Sequence, residues 1–287
     1  MRRLTIGLPV RNGEAFLDRA LTSLRSQSEK ELMIIVSDNN STDNSLAIAE
    51  HHESIDDRVT VLSGERGDAA DNFQYVLEQC STDYFMWAAH DDLWDRDFVR
   101  SAVTALDLGH NFFSANWFVG DLTRSRGVSR TQHPLSFLER SDAVERTVNF
   151  LNLHHLSHKC NLVYAVYRTD FLQGVHQPGS IANDGLFTAQ VANASPGCVT
   201  DSILFLKEDR FAGRSHSFRM ARRFWSRRGF RSLLTRNRSF ESAKAKALLE
   251  TTTAFPYLSE TISRIFDLYE EFPRGKDFRI DKDADTL

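Results

Sequence analysis

The chain has 287 residues, 41% of them hydrophobic, which suits one large α/β domain or a domain with an extension and excludes a disordered chain. Its 35 basic and 39 acidic residues leave a net charge of −4, which gives no overall sign of a nucleic-acid partner. Three widely spaced cysteines, Cys80, Cys160 and Cys198, make neither a disulfide framework nor a zinc pattern and point to a reducing cytosol.

Met1-Arg2-Arg3-Leu4 runs straight into a strand-like segment with no apolar core of the signal-peptide kind, and no stretch reaches the apolar length that spans a membrane. Residues 4–10 read as a first strand, closed by Pro9 and the turn former Asn12-Gly13. Phe16, Leu17, Ala20, Leu21 and Leu24 recur at helical spacing. Residues 31–36 form a second, buried strand, and the polar cluster after it, 37–43, caps a helix over 44–51. Residues 58–62 are a third short strand, 71–79 a helix with Phe73, Val76 and Leu77 on one face, and 84–87 the start of a fourth buried strand. Strands and helices alternating in this way predict a parallel, doubly wound sheet.

The fourth strand runs into Asp91-Asp92. Ligands of open α/β sheets collect at the carboxyl ends of strands. Two adjacent carboxylates there suit a hard cation such as Mg²⁺ or Mn²⁺ bridged to substrate phosphates, although a turn or a helix cap explains the same pair. Asp38, at the end of the second strand, is placed to bind the base or ribose of a nucleotide; capping of the next helix is the alternative for Asp38 and Asp43. No glycine-rich dinucleotide fingerprint and no phosphate-binding loop ending in Gly-Lys-Ser/Thr is present, which argues against a dehydrogenase or a P-loop enzyme.

Pro9-Val10-Arg11-Asn12, Gln27, Ile34-Ile35-Val36-Ser37-Asp38-Asn39-Asn40-Ser41-Thr42-Asp43, Asn72 and Asp91-Asp92 follow each other over the first third to half of the chain as they do in the family 2 glycosyltransferases, which this part of the chain resembles. The resemblance implies a GT-A fold, a nucleotide-diphosphate sugar donor and a divalent metal, Mn²⁺ or Mg²⁺. It places Pro9 and Arg11 in the nucleotide pocket, Asp38 on the base of a uridine or thymidine donor, Asp91 near the ribose or metal, and Asp92 as the direct metal ligand. Two positions depart from the family pattern. Ala89 stands where many members carry a further Asp, and Asp71 where many carry Arg, so Arg66 is a candidate substitute for that missing donor-binding charge.

In the second half, residues 95–108 and 142–151 read as helices, 111–119 and 161–167 as strands, and the polar, Arg-bearing stretch 120–134 as a loop bordering the acceptor. His154, His155 and His158 lack helical ligand spacing, so a polar loop is preferred to a zinc site. A helix opens near Asp184 and runs to about 192. The resemblance implies that Asp184 is the catalytic base, with Asn183 in place of the usual Glu before it; a helix cap is the plain alternative. Residues 198–206 form a strand, and His216 beyond it is a candidate metal ligand by the same resemblance.

Nine arginines and no acid lie between residues 214 and 238, interleaved with aromatic and aliphatic residues. Such a segment suits an anionic membrane surface, with a nucleic-acid patch or an Arg-rich helix packed over the diphosphate site as the alternatives. Two closing helices, 243–252 and 258–272, and a frayed tail follow.

The expected architecture is therefore a Rossmann-like, mostly parallel GT-A sheet with a nucleotide-sugar-binding half (1–108), an acceptor-binding half (109–213) and a basic helical extension (214–287). The expected activity is metal-dependent, inverting glycosyl transfer from a UDP- or dTDP-sugar to a hydroxyl of a saccharide or lipid-linked saccharide, in surface polysaccharide or glycolipid assembly. The expected location is cytoplasmic, peripheral on the inner face of the membrane, with no nucleic acid involved. A sugar-nucleotide pyrophosphorylase of related fold is the alternative enzyme, but its Gly-rich, Lys-containing first loop is not matched by Pro9-Val10-Arg11-Asn12-Gly13. A non-catalytic nucleotide-sugar or membrane-binding module is the alternative outside enzymes, and Ala89 and Asn183 keep it open.

Overall fold

A computed structural model describes residues 2–121, 126–129, 132–153, 159–176 and 184–208. The near-continuous apolar runs become the centre of a sheet. Strands β1 (Leu4–Val10) and β4 (Tyr84–Trp87) are buried at every position, and β2 (Leu32–Asp38) at all but one. Helix α1 (Leu17–Arg25) turns Leu17, Ala20, Leu21 and Leu24 inward. Helices α2 (Ser45–Ile55) and α3 (Ala69–Glu78) flank β3 (Val59–Ser63) in sequence. Asp68 and Asp71 close a reciprocal capping box at the start of α3. β1 pairs in parallel with β2 and β4, and β2 with β3. Right-handed crossovers put α1 and α2, which touch each other, on one face and α3 on the other.

The second half completes the same sheet. It adds β5 (Leu93–Trp94), α4 (Phe98–Asp107), β6 (Phe112–Asp121), β7 (Arg126–Ser129), α5 (Ala143–Asn152), β8 (Val166–Arg168), α6 (Thr169–Val175), α7 (Asp184–Ala194) and β9 (Cys198–Glu208). The strand order is β3-β2-β1-β4-β8-β6-β9-β5, with β7 attached to β6. Trp87 joins the two halves: its ring meets Phe85, His176 and Phe187 at centroid distances of 5.0, 5.7 and 5.6 Å.

The first half is parallel as expected, and the sheet becomes mixed beyond it because β8 runs antiparallel to β4 and β6. Two expectations change. The polar stretch after residue 120 contains β7, whose main chain pairs with β6 whatever its side chains are. The strand expected over 161–167 is a 3-10 turn, Lys159–Tyr164, followed by the short β8. A brief apolar run fits either state, and here the Ala165 N–H bonds back to Leu162 O at 3.1 Å. Arg124 and Arg130, the three histidines of 154–158, Asn183, and everything from 209 onward lie outside the described residues. That last part includes His216, the basic segment and both closing helices.

Candidate functional site

The parallel strands β1, β2 and β4 all end on the same side of the sheet. Two crossovers carry the chain outward from β1 to β3, and the third returns it across β1 to β4. That reversal is the switch point at which open α/β sheets take ligands. Pairing of β1 with β4 stops at Gly7 and Trp87, while pairing with β2 continues to Val10 and Asp38. Pro9, which has no N–H to offer, falls just past the end of the β4 ladder and costs no hydrogen bond there.

On the β2 side the crevice ends at Asp38, which is only 1% exposed. Its Oδ2 accepts the Ser41 N–H at 3.0 Å. Its Oδ1 is buried with no hydrogen-bond partner among the described residues. Asp38 therefore shapes a turn and keeps one acceptor atom unused; it does not cap α2. Asn72 braces it from α3, donating to Ser37 O at 3.1 Å and accepting from Ser37 Oγ at 2.6 Å. Asn39 accepts the Arg66 N–H at 2.7 Å, and the Arg66 guanidinium lies 4.1 Å from the centre of the Tyr75 ring.

The loop leaving β1 is tied to the loop leaving β2. Asn12 takes a left-handed conformation (φ 56°), and its Oδ1 accepts the Thr42 N–H at 2.8 Å. Gly13 N–H donates to Ser45 Oγ at 2.7 Å, and Glu14 N–H to Asp43 at 3.1 Å. Asp43 is thus a staple between loops, while Arg11 stands exposed beside them. A Cβ on Gly13 would come within 2.8 Å of the His90 ring, so a side chain there would push this loop off the residue preceding the acid pair.

The acid pair divides. Asp92 is fully buried, with Lys207 Nζ donating to Oδ2 at 2.8 Å and the Glu208 N–H to Oδ1 at 2.9 Å. Burial pushes the Asp92 carboxyl up to about 6; Lys207 pulls it back and the charge of Asp91 adds to the rise. Burial also works against the Lys207 charge, but Tyr164 and Asp92 outweigh it and hold the ammonium above its ordinary value. The residue expected as the direct metal ligand is thus engaged on both oxygens, because β9 closes over it. Asp91 is half-buried, its main-chain oxygen accepts Arg19 Nη2 at 3.1 Å, and its carboxylate accepts no hydrogen bond from the described residues. Arg19 also pairs with Glu208, which ties α1 to the end of β9. Gln27 fixes the way out of the pair, donating to Asp95 O at 2.8 Å and accepting the Val99 N–H at 3.0 Å in the first turn of α4.

Asp184 opens α7 and is exposed. Tyr164 lies under Lys207 Nζ at 4.9 Å, and burial pushes its phenol up to about 12, with the charges of Lys207, Asp92, Asp91 and Asp184 all reaching it. Tyr164, Lys207, Glu208 and Arg19 were not singled out from the sequence. The available signal was the apolar strand 203–206 ending in Lys207-Glu208, a charged pair at a strand end like Asp91-Asp92.

Among the described residues no three His, Cys, Asp or Glu side chains converge on one point. A Mg²⁺ or Mn²⁺ ion held by one or two carboxylates and completed by substrate phosphates needs no such convergence, and the open Asp91 carboxylate fits that arrangement.

Solved structures share the fold. S. aureus TarS in complex with UDP superposes with a TM-score of 0.58 at 18% identity, covering 96% of this chain and 93% of that one. The mannosyltransferase PcManGT of Pyrobaculum calidifontis, in complex with GDP-Man and Mn²⁺, gives 0.52 at 16% identity, covering 92% and 75%. The architecture is that of GT-A glycosyltransferases. Among curated proteins, the dTDP-rhamnosyl transferase RfbG of Shigella flexneri is 30% identical over 112 residues, 37% of this chain and 39% of its own length. The GalNAc(5)-diNAcBac-PP-undecaprenol β-1,3-glucosyltransferase of Campylobacter jejuni is 29% identical over 148 residues, 51% of this chain and 47% of its own length. The matches thus span less than half of these two relatives. The family model described as Glycosyl transferase family 2 matches residues 5–172, more than half of the sequence, and the chain belongs to that family.

Proposed function

We propose that this chain is an inverting glycosyltransferase that moves a sugar from a nucleoside diphosphate, UDP or dTDP first, to a hydroxyl of a saccharide or lipid-linked saccharide. One observation carries this reading: at the switch point of the sheet, β2 ends in the unused, buried Oδ1 of Asp38, and the segment after β4 carries the open carboxylate of Asp91. A buried acceptor atom with no partner calls for an N–H donor. The N3–H of uracil or thymine supplies one, which suits the UDP bound by TarS and the dTDP named for RfbG.

Asp91, and not Asp92, is the carboxylate we assign to a divalent ion. Mn²⁺ or Mg²⁺, when bound, offsets the charge of the departing diphosphate. Arg11 and Arg66 flank the same strand ends and add positive charge for the phosphates. Asp184 takes the proton. As the acceptor oxygen bonds to the anomeric carbon, the bond from that carbon to the diphosphate oxygen breaks, and the hydroxyl proton passes to the carboxylate. Attack from the face opposite the leaving group inverts the centre. The arginine-rich segment 214–238 supports docking on an anionic membrane, where a lipid-linked acceptor, as named for the C. jejuni relative, would be met.

The test is release of nucleoside diphosphate from UDP-, dTDP- and GDP-sugars, with Mn²⁺ or with EDTA. Metal-dependent release from a UDP- or dTDP-sugar is expected. Tight binding without release would mark a non-catalytic nucleotide-sugar module, and failure to bind any nucleotide would end the proposal.

A further inference from the structure

We infer that Lys207 is a positioning residue that gives the two adjacent carboxylates unlike tasks: paired with Lys207, Asp92 becomes an internal strut, and Asp91 alone is left to face a cation. The inference rests on the donor reading above for what Asp91 holds, but not for the strut. Four observations support it. Both oxygens of Asp92 are taken by the last two described residues of β9, Lys207 through its side chain and Glu208 through its N–H. Asp92 is fully buried, so its carboxylate is shielded from water although the Lys207 side chain stays 22% exposed. Arg19 grips Glu208 and the main-chain oxygen of Asp91 together, which fixes the strand end against the acid pair from the other side. Lys207 Nζ also lies over the Tyr164 ring, 4.9 Å from its centre, a further contact that fixes its position.

Two carboxylates one residue apart repel, and a buried one without a partner is strongly destabilising. Lys207 answers both problems, so that an ion is not required to hold the 88–94 segment in shape. The protein then offers a free ion one open carboxylate. Binding of Mn²⁺ alone is expected to be weak, and binding of Mn²⁺ with a nucleoside diphosphate strong, because the phosphates supply the missing oxygens.

The experiment has two arms on the full chain. In urea denaturation without ligand, Lys207→Met is expected to lower the folding equilibrium constant at least about a hundredfold, since it strands a buried charge. Asp92→Asn combined with Lys207→Met removes both charges and is expected to recover most of that loss. Equal stability of Lys207→Met and wild type would overturn the strut. In the second arm, thermal shift is read with Mn²⁺ alone, with UDP or dTDP alone, and with both together. Wild type and the double variant are expected to respond to the combination and scarcely to Mn²⁺ alone, whereas Asp91→Asn loses the gain from Mn²⁺. A double variant that loses the Mn²⁺ gain while Asp91→Asn keeps it would reverse the two roles and overturn the inference. Wild type that responds to no nucleotide would defeat the donor reading, and the denaturation arm would still decide the strut.

Discussion

Asp38→Asn separates the structural from the recognition role of the residue at the end of β2. Asn retains an oxygen that can accept the Ser41 N–H, now made at 3.0 Å. It replaces the unpartnered Oδ1 by an amide NH₂. A donor N–H of uracil or thymine would then face another donor. The lost contact is a hydrogen bond to a charged acceptor, worth about 1.5–3 kcal/mol, or roughly a 10- to 150-fold rise in Kd. Folding should change little, within about 1 kcal/mol, because the turn bond survives and one unpartnered polar atom replaces another. Isothermal titration with UDP and dTDP, beside thermal melts of the unliganded proteins, measures both quantities. An unchanged Kd would remove Asp38 from the base pocket. A large loss of stability alongside weaker binding would make the residue a loop staple only.

Asp184→Asn is expected to lower kcat by about 10²–10⁴-fold while donor Kd stays within a factor of two; near-normal turnover in steady-state assays would relieve Asp184 of the base role. Gly197→Ala should destabilise by about 1–3 kcal/mol in urea denaturation, because a Cβ there would sit 2.1 Å from the buried Phe112 ring; an unchanged midpoint would mean that the ring yields freely. His133 and His176 are buried, and burial pushes each imidazole down to about 4. Between pH 6.5 and 4 the unfolded chain therefore binds protons that the folded chain refuses, so stability is full above pH 6.5 and falls on acidification, by at most about 3 kcal/mol per histidine. Asp92, raised to about 6, works the other way, one group against two. Urea midpoints against pH check this slope; with Asp92 offsetting about one histidine, His176→Gln should remove most of it, and a flat profile in wild type would contradict the account.

Much of the first half was legible in the sequence because its central strands β1, β2 and β4 are buried on both faces and helices α1 and α3 each turn one apolar stripe inward. β1, β2 and β4 lie where their apolar runs put them. The same logic faltered once strands became short or polar. β7 has no apolar run to announce it, and the run at 161–167 fits a turn as well as a strand. The chemistry was legible by residue type and not by partner. Asp91 and Asp92 look alike in sequence. What separates them is β9, more than a hundred positions away, which brings Lys207 to one and leaves the other open. Asn72 illustrates the converse: it follows the family's motif order, and only the structure shows that its side chain braces Ser37.

A crystal of the chain soaked with UDP and Mn²⁺ tests the central claim most directly. The account predicts uracil N3 within hydrogen-bond distance of Asp38 Oδ1, and the ion between the Asp91 carboxylate and both phosphates, with Lys207 still on Asp92. A nucleotide bound away from the ends of β1, β2 and β4, or an ion seated on Asp92 in place of Lys207, would contradict it.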